Sequence, residues 1–201
     1  MKPERKIGTM SSAKFVDNYP GERTTTETTR LHAQHDLVVD ALDGELLCPL
    51  NTSQQGLRIL DIGTADGWWL HCVRKKLAHP ETAELIGTDI APYPDAVENV
   101  TIHDFREAFP QEWQGRFDMI QLRAVMASAG SSALDVVSRA LELLKRGGHI
   151  QLVDSSMPSG ELLNTDKPSI EFFKRVGNLL AKQGTTSLVA GCLVQHTKWS
   201  C

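Results

Sequence analysis

The stretch "LRILDIGTADGWWL", Leu57 to Leu70, decides the fold. Leu57, Ile59, Leu60 and Ile62 form a short apolar run broken only by Arg58 and Asp61. Gly63, Ala65 and Gly67 then alternate with polar residues, and Trp68 and Trp69 follow directly. An apolar run of this length, closed by glycine, reads as a buried strand. Glycine next to a strand end permits backbone conformations closed to other residues and lets a ligand approach the main chain. The segment therefore predicts strand, tight turn and helix, with a functional turn between them.

Working outward, the same alternation recurs. Strands are expected over 57–62, 83–90, 100–105, 115–123 and 149–156. Helices are expected over 67–78, 131–148 and 167–184, with Ser131 or Ser132 as N-cap of the second, Gly147 beyond its end, and Gly184 stopping the third. Ahead of the first strand, Leu31, Leu37, Val38, Ala41 and Leu42 recur near helical spacing, and Gly44 closes that helix. Short apolar strands separated by helices imply parallel pairing through right-handed crossovers. The expected fold is α/β: a Rossmann-like, doubly wound, mostly parallel sheet with helices on both faces. Ligands in such sheets sit beyond the carboxyl ends of the strands, where the strand order reverses.

The 201 residues suit one core. Residues 1–29 read as an N-terminal arm or lid and 30–201 as a single domain. Apolar residues at 41 % and charged residues at 23 % are ordinary globular proportions, and a net charge of −4 gives no footprint for nucleic acid. No apolar run spans a bilayer, and the first fifteen residues lack the apolar core of a secretory signal. A cytoplasmic or nuclear location is the expectation. Cys48, Cys72, Cys192 and Cys201 show no CxxC spacing, so free thiols are expected and no metal site. His32 and His35, three apart on the first helix, lack the further ligands zinc requires and read as satisfied or solvent-facing histidines.

The turn does not match G-x-G-x-x-G, because Trp68 stands where the third glycine belongs, and it lacks the lysine of a P-loop. Asp89 ends the second strand, at roughly the offset where an acid meets ribose hydroxyls in nucleotide-binding α/β domains. Two acceptor oxygens suit a vicinal diol. Asp104 and Phe105 end the third strand, and Asp104 is equally readable as a helix N-cap. Arg123 ends the fourth, where it can touch a ligand or pair with Asp104 or Asp154.

Asp61-x-Gly63-x-Ala65-x-Gly67 resembles motif I of class I S-adenosylmethionine-dependent methyltransferases, with alanine in place of the middle glycine. The resemblance implies that this turn wraps the amino-acid half of S-adenosylmethionine and that Asp61 orients it. It implies that Asp104 accepts from the adenine amino group while Phe105 covers the ring. The segments "RILDIGTADGWWL", "IGTDIAPYPDAVENVTIHDF", "EWQGRFDMIQLRAV" and "LELLKRGGHIQLVDSS", in this order, resemble the fungal LaeA-like methyltransferases of secondary metabolism. Arg146 replaces the usual proline of the Leu-Lys-Pro-Gly-Gly turn. "TRLHAQHDLV" resembles the helix that caps the cofactor pocket in that family, which makes Gln34 and His35 pocket-lining candidates and His35 a candidate general base. Tyr19 is expected to fold over the cofactor. Both tryptophans are expected to pack as core, with shielding of the methionine arm the alternative for Trp68. Asp154 reads as a structural acceptor.

The family normally ends in an antiparallel strand pair. Here "SLVAGCLVQHTKWSC" resembles only the approach to it, so an incomplete pair is expected, leaving the edge of the fifth strand open for a homo- or hetero-oligomeric contact. The functional expectation is methyl transfer to a small molecule of secondary metabolism. The alternatives are a regulatory, non-catalytic protein acting through a partner, and a cofactor-binding enzyme that rearranges its substrate.

Overall fold

The structure, a computed structural model, describes residues 17, 19, 21–44, 46–91, 93–154 and 187–192. Among the described residues there are six strands: β1 (Arg58–Ile62), β2 (Glu84–Asp89), β3 (Val100–Ile102), β4 (Phe117–Arg123), β5 (Leu144–Asp154) and β6 (Ser187–Cys192). They form one sheet in the order β3-β2-β1-β4-β5-β6, and every neighbouring pair is parallel. The helices are α1 (Thr25–Leu42), α2 (Trp68–Arg74), the single turn α3 (Met126–Ala129) and α4 (Ala133–Leu143). The order reverses between β1 and β4, so the carboxyl ends of these two strands flank the crevice.

Both faces of the sheet are buried, as parallel pairing requires. Leu60, Ile62, Ile120 and Leu122 pack with Val136, Val137, Ala140 and Leu141 of α4. Alternate residues Leu57, Ile59 and Met119 pack with Trp69, Leu70 and Val73 of α2. The period of two along β1 thus divides the core into its two layers.

Several boundaries differ from the sequence expectation. The helix expected over 131–148 ends at Leu143, because the backbone turns extended at Leu144. The N–H groups of Gly115 and Arg116 take the carbonyls of Glu142 and Leu143, so its last turn is capped by the approach to β4. Gly147, expected beyond that helix, lies inside β5 with φ 78°. The helix expected over 67–78 is only the seven residues of α2, with Lys75 as its C-cap. The helix expected over 167–184 lies outside the described residues. The open edge expected on β5 is overturned. Ser187–Cys192 pairs alongside it in parallel register, from His149 with Ser187 to Asp154 with Cys192.

α1 runs across the expected arm–domain boundary at residues 29 and 30. Thr24 caps it by accepting from the Glu27 N–H, which is half of a Thr-x-x-Glu capping box. Its far end closes with Asp43 at φ 58° while Asp43 and Gly44 donate to the carbonyls of Asp40 and Val39, a Schellman arrangement with aspartate at the left-handed position. The helical apolar spacing is only partly used, since Leu37 is 72 % exposed. The residues α1 buries fully are Thr28 and His35.

Candidate active site

The β1–α2 turn is fixed by contacts that leave no room for a side chain. Gly63 has φ 76°, and a Cβ there would stand 2.2 Å from Val125 Cγ1. The N–H groups of Gly63 and Thr64 both donate to the Thr88 carbonyl, tying the turn to the end of β2. Ala65 occupies a left-handed conformation, φ 56°. That explains why this position favours glycine in the motif, and alanine holds it at a cost of about 1–2 kcal/mol. Ala124, just after β4, is strained in the same way at φ 55°. Nothing in the sequence marks Ala124, because alanine carries no signal for positive φ.

Two cavities meet over this turn. The larger, about 290 Å³, is lined by Asp89, Asp104, Phe105, Tyr19, Tyr93 and Arg23 among others. The smaller, about 100 Å³, is lined by Asp61, Asp66, His32, His35, Trp68 and Asp154 among others. Leu31, Gln34, Gly63, Ala65, Arg123 and Ala124 line both. Of the residues singled out in the sequence, Asp61, Gly63, Ala65, Asp89, Asp104, Phe105, Arg123, Gln34, His35 and Tyr19 thus converge. Gly67 lines neither cavity. At φ 86° it caps α2 and packs against Glu98.

The carboxylates are buried and differently held. Asp61 Oδ2 accepts from the Thr64 hydroxyl at 2.6 Å. Burial pushes its carboxyl up to about 7; the Thr64 hydrogen bond and the charge of Arg123 oppose the rise, and Asp89 and Asp66 add to it. Asp89 accepts from the Ala65 N–H at 2.9 Å and the Ala91 N–H at 3.4 Å. Burial raises it to about 6 against those bonds and the Arg23 charge. Asp104 is no helix cap. Its Oδ1 accepts from the N–H of Arg106 in an Asx-type turn, and the Arg106 guanidinium grips both oxygens at 2.8–2.9 Å. One lone pair of Oδ2 is left for a donor in the cavity.

Arg123 meets His35, not Asp104: Nη1 lies 2.9 Å from Nδ1. Burial pushes its guanidinium below the usual value, with the Asp61 charge opposing. Asp154 Oδ2 accepts from the Met126 N–H at 2.8 Å. Trp69 is core at 2 % exposure. Trp68 is not: its ring lines the smaller cavity and stacks on His32, centroids 4.0 Å apart and planes at 18°. Arg23 lies over the rings of Tyr19 and Tyr93, 5.3 Å from each centroid, beside Asp89. Sequence reasoning passed over Arg23, Tyr93, Asp66 and Arg106, whose types carry no motif and whose roles arise only from apposition. Among the described residues no group of three His, Cys, Asp or Glu side chains is placed to hold a metal, and no helix is long and apolar enough to cross a membrane.

Residues 34–185 match the family model described as a methyltransferase domain, and the chain belongs to that family. The methyltransferase psoC of Aspergillus fumigatus is 36 % identical over 163 residues, covering 75 % of this chain and 59 % of that protein. The N-methyltransferase sirN of Leptosphaeria maculans is 36 % identical over 146 residues, covering 70 % and 50 %. The chain thus spans half to three fifths of the length of these curated relatives. A solved S-adenosylmethionine-dependent methyltransferase from Aquifex aeolicus shares the fold at 17 % identity with a TM-score of 0.50, covering 79 % of this chain and 87 % of that one.

Proposed function

We propose that the two cavities together hold S-adenosylmethionine and that the chain transfers its methyl group to a nitrogen of a small molecule of fungal secondary metabolism. The observation that carries this reading is the convergence of three separate strand ends on one continuous pair of cavities joined at Gly63 and Ala65. The residues fit the cofactor. Asp89, beside the turn, suits a ribose diol, and the remaining Oδ2 lone pair of Asp104 beside Phe105 suits an adenine amino group. Asp61, buried in the smaller cavity, suits a cationic group, and a buried carboxylate is favoured only when such a partner arrives. The sirN name supports nitrogen as the accepting atom.

When bound, S-adenosylmethionine supplies an electrophilic methyl group. The chain's contribution is to orient and to exclude water. α1 covers the smaller cavity through Leu31, His32, His35 and Val38. Arg123 and Gln34 stand where the cavities join. A guanidinium can only donate, so His35 Nδ1 accepts from Arg123 and has no lone pair left there for a proton. This supports His35 as the residue that holds Arg123 in place rather than as general base.

Calorimetric titration with S-adenosylhomocysteine tests the reading. Saturable one-to-one binding is expected, with Asp89→Ala weakening it by about thirtyfold, the worth of hydrogen bonds to a charged acceptor. No saturable binding to the parent chain overturns it. Labelled S-adenosylmethionine incubated with small-molecule extracts of the producing organism, followed by mass spectrometry, then identifies the acceptor.

A further inference from the structure

We infer that His32, oriented by Asp66, reads the amino-acid terminus of the cofactor by accepting a hydrogen bond from its α-ammonium group. The inference rests on the cofactor reading above and assigns a role to His32, on α1, and to Asp66, a variable position within motif I, neither of them among the cofactor-binding residues derived from the sequence.

His32 Nε2 lies 2.6 Å from Asp66 Oδ2. A carboxylate accepts, so Nε2 carries a ring hydrogen, and in the neutral imidazole Nδ1 then keeps its lone pair. The orientation is enforced twice. Asp66 is itself fixed, its other oxygen accepting from the Trp68 N–H at 3.2 Å and its side chain only 3 % exposed. The imidazole lies flat on the Trp68 ring. The result is a pinned, half-buried acceptor in the wall of the smaller cavity, which also contains Asp61.

The two histidines of this cavity make opposite hydrogen bonds, and that difference selects His32. His35 accepts at Nδ1 from a guanidinium, whereas His32 donates at Nε2 to a carboxylate. Only the second leaves Nδ1 available as an acceptor. An ammonium group between Asp61 and His32 gains a charged and a neutral acceptor together. A cofactor fragment lacking the amino-acid arm gains neither.

The test compares S-adenosylhomocysteine with methylthioadenosine, which keeps the nucleoside and thioether but lacks the amino-acid terminus. Both are titrated at pH 8. The parent chain is expected to bind the homocysteine compound at least tenfold more tightly, about the worth of one hydrogen bond to a charged group. His32→Phe keeps the stacked ring and removes the lone pair. It is expected to abolish most of that preference while methylthioadenosine affinity stays within about twofold. Asp66→Asn is expected to do the same by another route. The new amide donates to Nε2, driving the ring hydrogen to Nδ1, a tautomer switch read directly by ring nitrogen chemical shifts. An unchanged preference in both variants overturns the inference, as does an equal loss for both ligands. Failure of the parent chain to bind either compound sinks the cofactor reading instead.

Discussion

The β1–α2 turn and α1 face each other across the smaller cavity, yet they are held by different forces. The turn is anchored by apolar burial: Ile59, Leu60, Ile62 and Leu70 are fully buried, and Gly63 and Gly67 are crowded by Val125 and Glu98. α1 leaves Leu37 exposed and meets the site through His32 with Asp66 and His35 with Arg123. Burial of a full apolar side chain contributes about 1.5–3 kcal/mol, and a typical intramolecular hydrogen bond a net of about 0.5–1.5 kcal/mol. The turn is therefore a rigid floor, and α1 a cover whose placement depends on the charges beneath it.

The contrast can be broken most severely at Gly63. Gly63→Ala forces a Cβ into Val125 at positive φ and should lower stability by about 3 kcal/mol, read as a fall in the denaturant midpoint. A change below about 0.5 kcal/mol would mean that the floor yields more readily than its burial implies.

Asp61 gives the next largest effect. Its folded-state carboxyl lies near 7, above the usual carboxylate value, so the folded chain holds that proton more tightly than the unfolded one. The stability this lends is present below about pH 4 and is lost as pH rises through 7. Asp61→Asn should therefore stabilise the unliganded chain at pH 8 by on the order of 2 kcal/mol, with the gain vanishing toward pH 4 in thermal unfolding. The same variant should lose S-adenosylhomocysteine affinity. For the parent chain, that affinity should fall from pH 8 to pH 5 as Asp61, near 7, and Asp89, near 6, take up protons. A flat profile would show that neither carboxylate meets the ligand.

Ala65→Gly sharpens the comparison in the opposite direction. Removing the methyl group at φ 56° should raise stability by about 1 kcal/mol without weakening ligand binding. The smallest effect belongs to the cover: Leu37→Ser on α1 should change stability by less than about 0.5 kcal/mol in chemical denaturation.

The family follows from the sequence as well as from the comparisons. The apolar runs at 57–62, 83–90, 100–105 and 115–123, with Asp61, Asp89, Asp104 and Arg123 at or near their ends, carry enough local pattern to place the strands, the switch point and most of the cavity walls. Trp68 and Trp69 were not separable in the same way. Adjacent positions on a helix face different directions, and only docking of α2 buried Trp69 in the core and left Trp68 partly exposed against His32.

The sequence alone determined the parallel α/β framework, the glycine turn after β1 and the acids at 61, 89 and 104, because period-two burial and backbone sterics act over a few neighbouring residues. Only the tertiary structure decided that Ser187–Cys192 pairs with β5, that Arg106 grips Asp104, and that His32 donates to and His35 accepts from residues 34 and 88 positions further along the chain. Those choices depend on which groups meet after folding, and separation along the chain leaves no local trace of them.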